Sequence, residues 1–290
     1  MSSNGFTLEQ LSVGRRVRNA AAIWAATLSA IIVISPLLVI FAYLLIRGLG
    51  SVNLAFLTRA PVPVGETGGG VGNAIVGSAI ILAIASLIGV PLGIGAGIYL
   101  SEYGRNQFGN AVRFTADILN GLPSIVIGIA IYGLVVAPMK HFSAFAGGVA
   151  LGVMMVPTVA RTTEEILLMV PNTIREAALG LGIPQWRSTI SITLRTATSG
   201  VITGVMLAFA RVAGETAPLI FTAFGNQFWS FKVNQPIAAL PLMIYTYAQS
   251  PYEEWHRIAW AGSLVLIVII VGTFAVVRLV ASRGLLKGTA

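Results

Sequence analysis

The sequence predicts an all-α polytopic membrane protein, on two observations: its scarcity of charge and the length of its uncharged runs. Of 290 residues, 56% are hydrophobic and 10% are charged, whereas a soluble globular domain carries roughly 25% charged residues. So few charges cannot coat a body of this size in water, but helices whose outer faces meet lipid need no such coat. Mean hydropathy is +0.86. Five runs lack Asp, Glu, Lys, Arg and His: residues 19–46, 67–101, 118–139, 142–160 and 258–277. Each is close to or above the ~20 residues that cross the hydrocarbon layer as a helix. Buried core helices of a soluble protein are the competing reading, and five such runs weigh against it.

Taken in order, the predicted crossings are 20–46, 73–99, 115–139, 142–161, 197–222 and 258–280. The first is too long for a signal sequence and lacks a small-residue cleavage pattern, so it reads as a retained helix. The loop 48–72 carries Pro61, Pro63, Gly65, Gly68, Gly69, Gly70 and Gly72, a composition that favours turns. The fifth crossing is interrupted by Arg211 and Glu215. Between it and the sixth, the apolar piece Ile237 to Tyr247, broken by Pro241, is too short to span and reads as interfacial or dipping. With the N-terminus inside, Arg15, Arg16, Arg18, Arg105, Arg113, Arg161, Arg175, Arg187, Arg195, Arg278, Arg283 and Lys287 fall on or near the cytoplasmic side. Only Arg47, Arg59, Lys140, Lys232 and Arg257 fall outside. This asymmetry obeys the positive-inside rule and puts both termini in the cytoplasm. It also accounts for the net charge of +8 without nucleic acid.

Glycines recur at four-residue intervals: Gly89, Gly93 and Gly97; Gly148 and Gly152; Gly200 and Gly204. That spacing places them on one helical face and lets neighbouring backbones approach closely, predicting a compact bundle. Pro91, Pro123 and Pro157 should bend their spans.

The central cytoplasmic segment, Pro171 to Trp186, reads as a short helix outside the membrane. Thr173 and Glu176 have the spacing of a capping box. Ile174, Ala177, Ala178 and Leu181 form one apolar face, and Gly182 with Pro184 ends the helix. Glu176-Ala177-Ala178, Gly182 and then Ile192-x-Leu194 resemble the signature of permease subunits of ATP-binding-cassette importers. Arg195 stands where that pattern usually has proline, so no role is carried to it. Tyr99 to Tyr103, Leu119 to Val126, Thr162 to Glu165 and Gly214 to Leu219 are similar to phosphate-system permeases, and the resemblance covers about residues 70–282.

The resemblance implies a six-transmembrane-helix type I importer bundle in a bacterial inner membrane. Its expected layout is 1–72 for tail, first helix and external loop, 73–283 for the permease domain with coupling helix 173–182, and 284–290 for the cytoplasmic tail. Glu176, Ala177, Ala178 and Gly182 would couple to the ATPase. The implied partners are a second permease subunit, cytoplasmic ATP-binding subunits and an external phosphate-binding protein. Permeases for another oxyanion, molybdate or sulfate, stay open, as do a membrane enzyme and a purely structural scaffold.

The residues exclude ATP hydrolysis by this chain. A phosphate-gripping loop needs Gly-Lys-Ser/Thr, and none of Lys140, Lys232 and Lys287 follows a glycine. There is no cysteine, and the two histidines, His141 and His256, share no ligand motif, so no metal, cofactor or catalytic residue is expected. Arg211 and Glu215 lie one helical turn apart in an apolar span and should meet on one face. Ionisable groups inside a membrane commonly face a bundle interior or a pathway. The pair is therefore the candidate pathway element for an anion, with helix packing as its other reading.

Overall fold

A computed structural model describes residues 13–66 and 68–286. The tail before residue 13 and the chain end with Lys287 lie outside the described residues. The regular elements of the described residues are helices: α1 (Val13–Gly48), α2 (Leu54–Thr58), α3 (Gly72–Glu102), α4 (Gln107–Gly121), α5 (Ser124–Ile131), α6 (Ala137–Met139), α7 (Ala144–Leu168), α8 (Asn172–Gly180), α9 (Gln185–Ser188), α10 (Leu194–Ala213), α11 (Ala217–Ile220), α12 (Leu240–Ala248) and α13 (Glu253–Leu286). π-helical turns Tyr132–Val136 and Thr189–Thr193 join α5 to α6 and α9 to α10. Among the described residues, five helical segments are long and apolar enough to span a membrane, and a sixth crossing requires the bent pair Gln107–Gly121 and Ser124–Met139.

That bend corrects the third predicted crossing, 115–139. The helix stops at Gly121 and resumes at Ser124 with a 104° change of direction. Pro123 supplies no N–H, and Leu122 before it is extended (φ −69°, ψ 138°), as the residue preceding proline prefers. Pro91 and Pro157, by contrast, lie inside α3 and α7. The fifth crossing is displaced from 197–222: its apolar helix runs from Gln185 to Ala213. Gly214 ends α10, and Pro218 sits in the first turn of α11, so 214–222 is not part of the span.

The glycine ladders hold the core together. α3 and α7 run parallel and share the largest interface in the chain. A Cβ on Gly89 would lie 2.7 Å from Met155 Cβ, one on Gly93 2.6 Å from Val159 Cβ, and one on Gly97 2.5 Å from Thr163 Cβ. Gly148 and Gly152 of α7 receive Ile84 and Ile88 in return. Antiparallel to α7, α10 places Gly200 against Ile166 and Gly204 against Thr162. Without hydrophobic drive between helices in lipid, such close backbone approach is what provides dispersion contact.

α1 touches the bundle only near its C-terminal end, where Gly48 meets Trp260 and Leu264 and the Tyr43 ring packs edge-on against Trp260. On the predicted outer side, the carbonyls of Thr222, Gln235 and Val233 accept from Ser143, Ala144 and Phe145, closing the N-terminus of α7. Asn73 Nδ2 holds the same loop through the carbonyls of Asn226 and Gln227. α12 follows from it. Pro241 starts this helix rather than breaking it, because a missing N–H costs nothing in a first turn.

Candidate functional site: a short helix outside the spans and a polar ladder

α8 begins at Asn172, two residues earlier than a capping box with Thr173 as N-cap requires. Pro171 is its N-cap, and no side chain caps it. Thr173 and Glu176 are thus inside the helix and exposed, which corrects the capping expectation. The C-terminal end is as expected and more complete. Gly182 takes φ +77°, its N–H reaches the Leu179 carbonyl, and Ile183 N–H reaches the Ala178 carbonyl. This pair of bonds is a Schellman motif, which needs the left-handed conformation glycine adopts freely.

The expected single apolar face is divided. Ile174 and Ala178 turn inward, Ile174 packing on the buried cluster of Leu167, Val170, Ala197 and Val201. Ala177 and Leu181, the latter 81% exposed, turn outward beside Glu176. One face of α8 is seated and the other is presented.

Arg175 seats it. Its Nε and Nη2 donate to Glu102 Oε1 at 3.1 and 2.8 Å, Nη1 to the Val170 carbonyl at 2.6 Å and Nη2 to the Leu167 carbonyl at 2.8 Å. One guanidinium therefore clamps α8 to the ends of both α3 and α7. The sequence reading used Arg175 only as a topology marker. Its neighbourhood to Glu102, 73 positions away, leaves no local signal.

A second polar system runs along α4 and α7. Asn106 caps α4 through Gly109 N–H at 2.7 Å, and Arg113, Asp117 and Asn120 follow at i, i+4 and i+7 on one face. They meet Glu164, Arg161 and Thr158 of α7. Buried Glu164 receives Arg113 Nε at 2.6 Å and Arg161 Nη1 at 2.7 Å, while Arg161 Nε lies 3.2 Å from Asp117. Arg113 also donates to the carbonyls of Gly104 and Leu100. Farther along, Thr158 Oγ1 donates to Asn120 Oδ1 at 2.9 Å and lies 3.5 Å from Arg211 Nη1.

Arg211 and Glu215 do not form the expected pair. Glu215 lies beyond the end of α10, and neither has a salt-bridge partner among the described residues. Arg211 instead sits at one end of an exposed face with Thr196, Ser199, Thr203, Leu207 and Gly214. Three hydroxyls and a guanidinium on one face of a membrane helix are unlike the lipid-type surface of α1, which shows Ile31, Val39 and Ile46.

The fold is similar to a chain of the MetNI methionine ABC transporter in inward-facing conformations, with TM-score 0.55, 17% identity, and coverage of 73% of this chain and 94% of that one. The likeness gives the fold: an apolar helix bundle that presents a short helix outside its spans. Residues 89–284 match the family described as binding-protein-dependent transport system inner membrane component. The chain belongs to that family, and within it to the phosphate transport system permease proteins PstA. It is 50% identical over 221 residues to the one from Yersinia pestis, covering 76% of this chain and 75% of that protein. To that of Xylella fastidiosa (strain Temecula1) it is 46% identical over 258 residues, covering 88% and 90%. A probable PstA of Methanocaldococcus jannaschii is 37% identical over 256 residues, covering 88% and 89%.

Proposed function

We infer that this chain is the transmembrane permease subunit of an ATP-driven phosphate importer, forming half of the translocation pathway and leaving ATP hydrolysis to a separate subunit. The observation that carries the substrate is the identity with phosphate transport permeases across most of the chain. Family membership implies a membrane partner, an ATPase and an external binding protein. The finer assignment is a PstC-like second permease, PstB-like ATP-binding subunits and a PstS-like phosphate-binding protein, with both chain termini on the cytoplasmic side.

In this reading α8 is the coupling helix. Glu176 and Ala177 meet the ATPase, Ala178 seats the helix on the bundle, and Gly182 ends it. Arg175 makes α8 rigid with α3 and α7, so a displacement imposed on α8 is delivered to the spans. Arg211 supplies positive potential to the anion, and its lack of a carboxylate partner leaves that potential uncancelled. Glu215, just past the helix end, limits how tightly an anion is held. Support for the pathway role comes from the hydroxyl-rich exposed face that Arg211 shares.

The test is phosphate uptake by the assembled complex at matched membrane levels. Arg211→Gln is expected to lose uptake while the binding protein still stimulates ATP turnover. Arg211→Lys, keeping charge without the guanidinium fork, is expected to retain a fraction. Wild-type uptake by Arg211→Gln refutes the pathway role.

A further inference from the structure

We propose that Asn120 and Thr158, together with Arg211, form one half of an oxyanion site inside the membrane, Asn120 as a direct donor and Thr158 as the residue that positions both neighbours. The inference rests on the pathway reading of Arg211 and adds two residues to it.

Hydrogen-bond logic fixes the arrangement. A guanidinium only donates, so toward Arg211 Nη1 the Thr158 oxygen offers a lone pair, at 3.5 Å. Its own proton is then free for Asn120, 2.9 Å away. Asn120 must answer with Oδ1, the acceptor, and its Nδ2 is turned away from Thr158. Both ends of the chain thereby keep donors for something else: the amide N–H groups of Asn120, and the Nε and Nη2 of Arg211. The Asn120 oxygen is engaged by Thr158, so the free groups that face outward are chiefly donors. A hydroxyl bonded on both sides is also held against rotation, so the two outer groups are set at a fixed separation.

The position suits a solute in transit. Thr158 lies fourteen residues into α7, about 21 Å at ~1.5 Å per residue, inside a hydrocarbon layer of ~30 Å. The trio is open rather than sealed, with Gly121, Leu207 and Gly214 exposed around it. The neighbouring charges are mutually engaged: one turn along the same two helices, Asp117 holds Arg161, and Arg161 with Arg113 holds Glu164. Arg211 has no ion pair among the described residues, so its charge stays available to a ligand. The Arg211 guanidinium repels a cation, whereas a tetrahedral oxyanion, whose oxygens accept in several directions, matches a planar fork and an amide. The open side implies that a second permease completes the shell.

The experiment compares phosphate uptake in proteoliposomes holding the full complex, with binding-protein-stimulated ATPase and detergent melting measured on the same samples. Thr158→Val preserves shape and removes the hydroxyl. It is expected to cut uptake about tenfold, the scale of a hydrogen bond to a charged group, with ATPase stimulation and melting unchanged. Thr158→Ser is expected to restore uptake to within about twofold, since the hydroxyl returns. Asn120→Asp replaces the donor by a second acceptor and is expected to cut uptake at least as far as Thr158→Val. Wild-type uptake by Thr158→Val or Asn120→Asp, or equal losses in the Val and Ser variants, overturns the proposal. If Arg211→Gln loses uptake while these variants do not, only this inference fails. If Arg211→Gln also transports normally, the pathway reading fails with it.

Discussion

Removing the Arg175 side chain should release α8, the proposed coupling helix, from the bundle without unfolding the spans. In Arg175→Ala, the Glu102 carboxylate, 5% exposed, loses its cation, and the carbonyls of Val170 and Leu167 lose their donors. Breaking one side of a buried pair costs about 3–5 kcal/mol. Arg175 is itself 18% exposed at the cytoplasmic end, which places the cost near ~3 kcal/mol. At ~1.4 kcal/mol per decade, amide hydrogens of α8 should exchange about a hundredfold faster, while those of α3 and α7 away from their ends stay as they were. Hydrogen exchange with mass spectrometry on the purified complex reads both regions in one experiment. Stimulated ATP turnover should fall in parallel, because a loosened α8 no longer carries displacement to the spans. The double replacement Arg175→Met with Glu102→Gln should recover part of the protection, since no charge is then left buried and alone. Protection of α8 within twofold of wild type in Arg175→Ala refutes the clamp.

Gly93→Val should lower stability in detergent by at least the ~1–3 kcal/mol typical of overpacking, because the Val156 carbonyl and the Val159 side chain fill its place; an unchanged melting temperature contradicts the ladder. Gly182→Ala meets no atom within 4 Å but must hold φ +77°, so α8 should lose about 1–2 kcal/mol, visible as faster exchange in its last turn. Gly180→Ala, equally uncrowded but inside the helix, should instead add ~0.5–1 kcal/mol. Glu176→Ala should leave α8 exchange unchanged, within ~0.5 kcal/mol, because Glu176 caps nothing, yet it should weaken ATPase coupling; faster exchange in α8 would restore the capping role.

The parts of the structure that could be read from sequence are those governed by periodicity. Gly89, Gly93 and Gly97 share a face at four-residue spacing whatever they contact, and they do face one partner helix. Gly182 announced the end of α8 because a left-handed residue there needs glycine. Punctuation inside an apolar run was harder to weigh. Leu122-Pro123 and Gly214 to Pro218 break spans that composition alone would carry through, and the second break separates Glu215 from Arg211. Polar partners distant in the chain were not legible at all. Arg113 with Glu164, Arg175 with Glu102 and Asn120 with Thr158 each depend on which helices pack together, and helix order in a bundle is not written in any one segment. Glu164, four residues past the uncharged run 142–160, was a hint, since a carboxylate at a membrane span requires a cation or water. The division of α8 between Ile174 and Ala177 likewise required knowing on which side the bundle lies.

The most direct measurement is ATP-driven uptake of radiolabelled phosphate into proteoliposomes assembled from this chain, its permease partner, the ATP-binding subunits and the external binding protein. Uptake should require every component, stop without ATP, and fail for sulfate and molybdate when only the phosphate-binding protein is supplied. Undiminished phosphate uptake in vesicles lacking this chain, or sulfate or molybdate carried through the same assembly as readily as phosphate, would contradict the account.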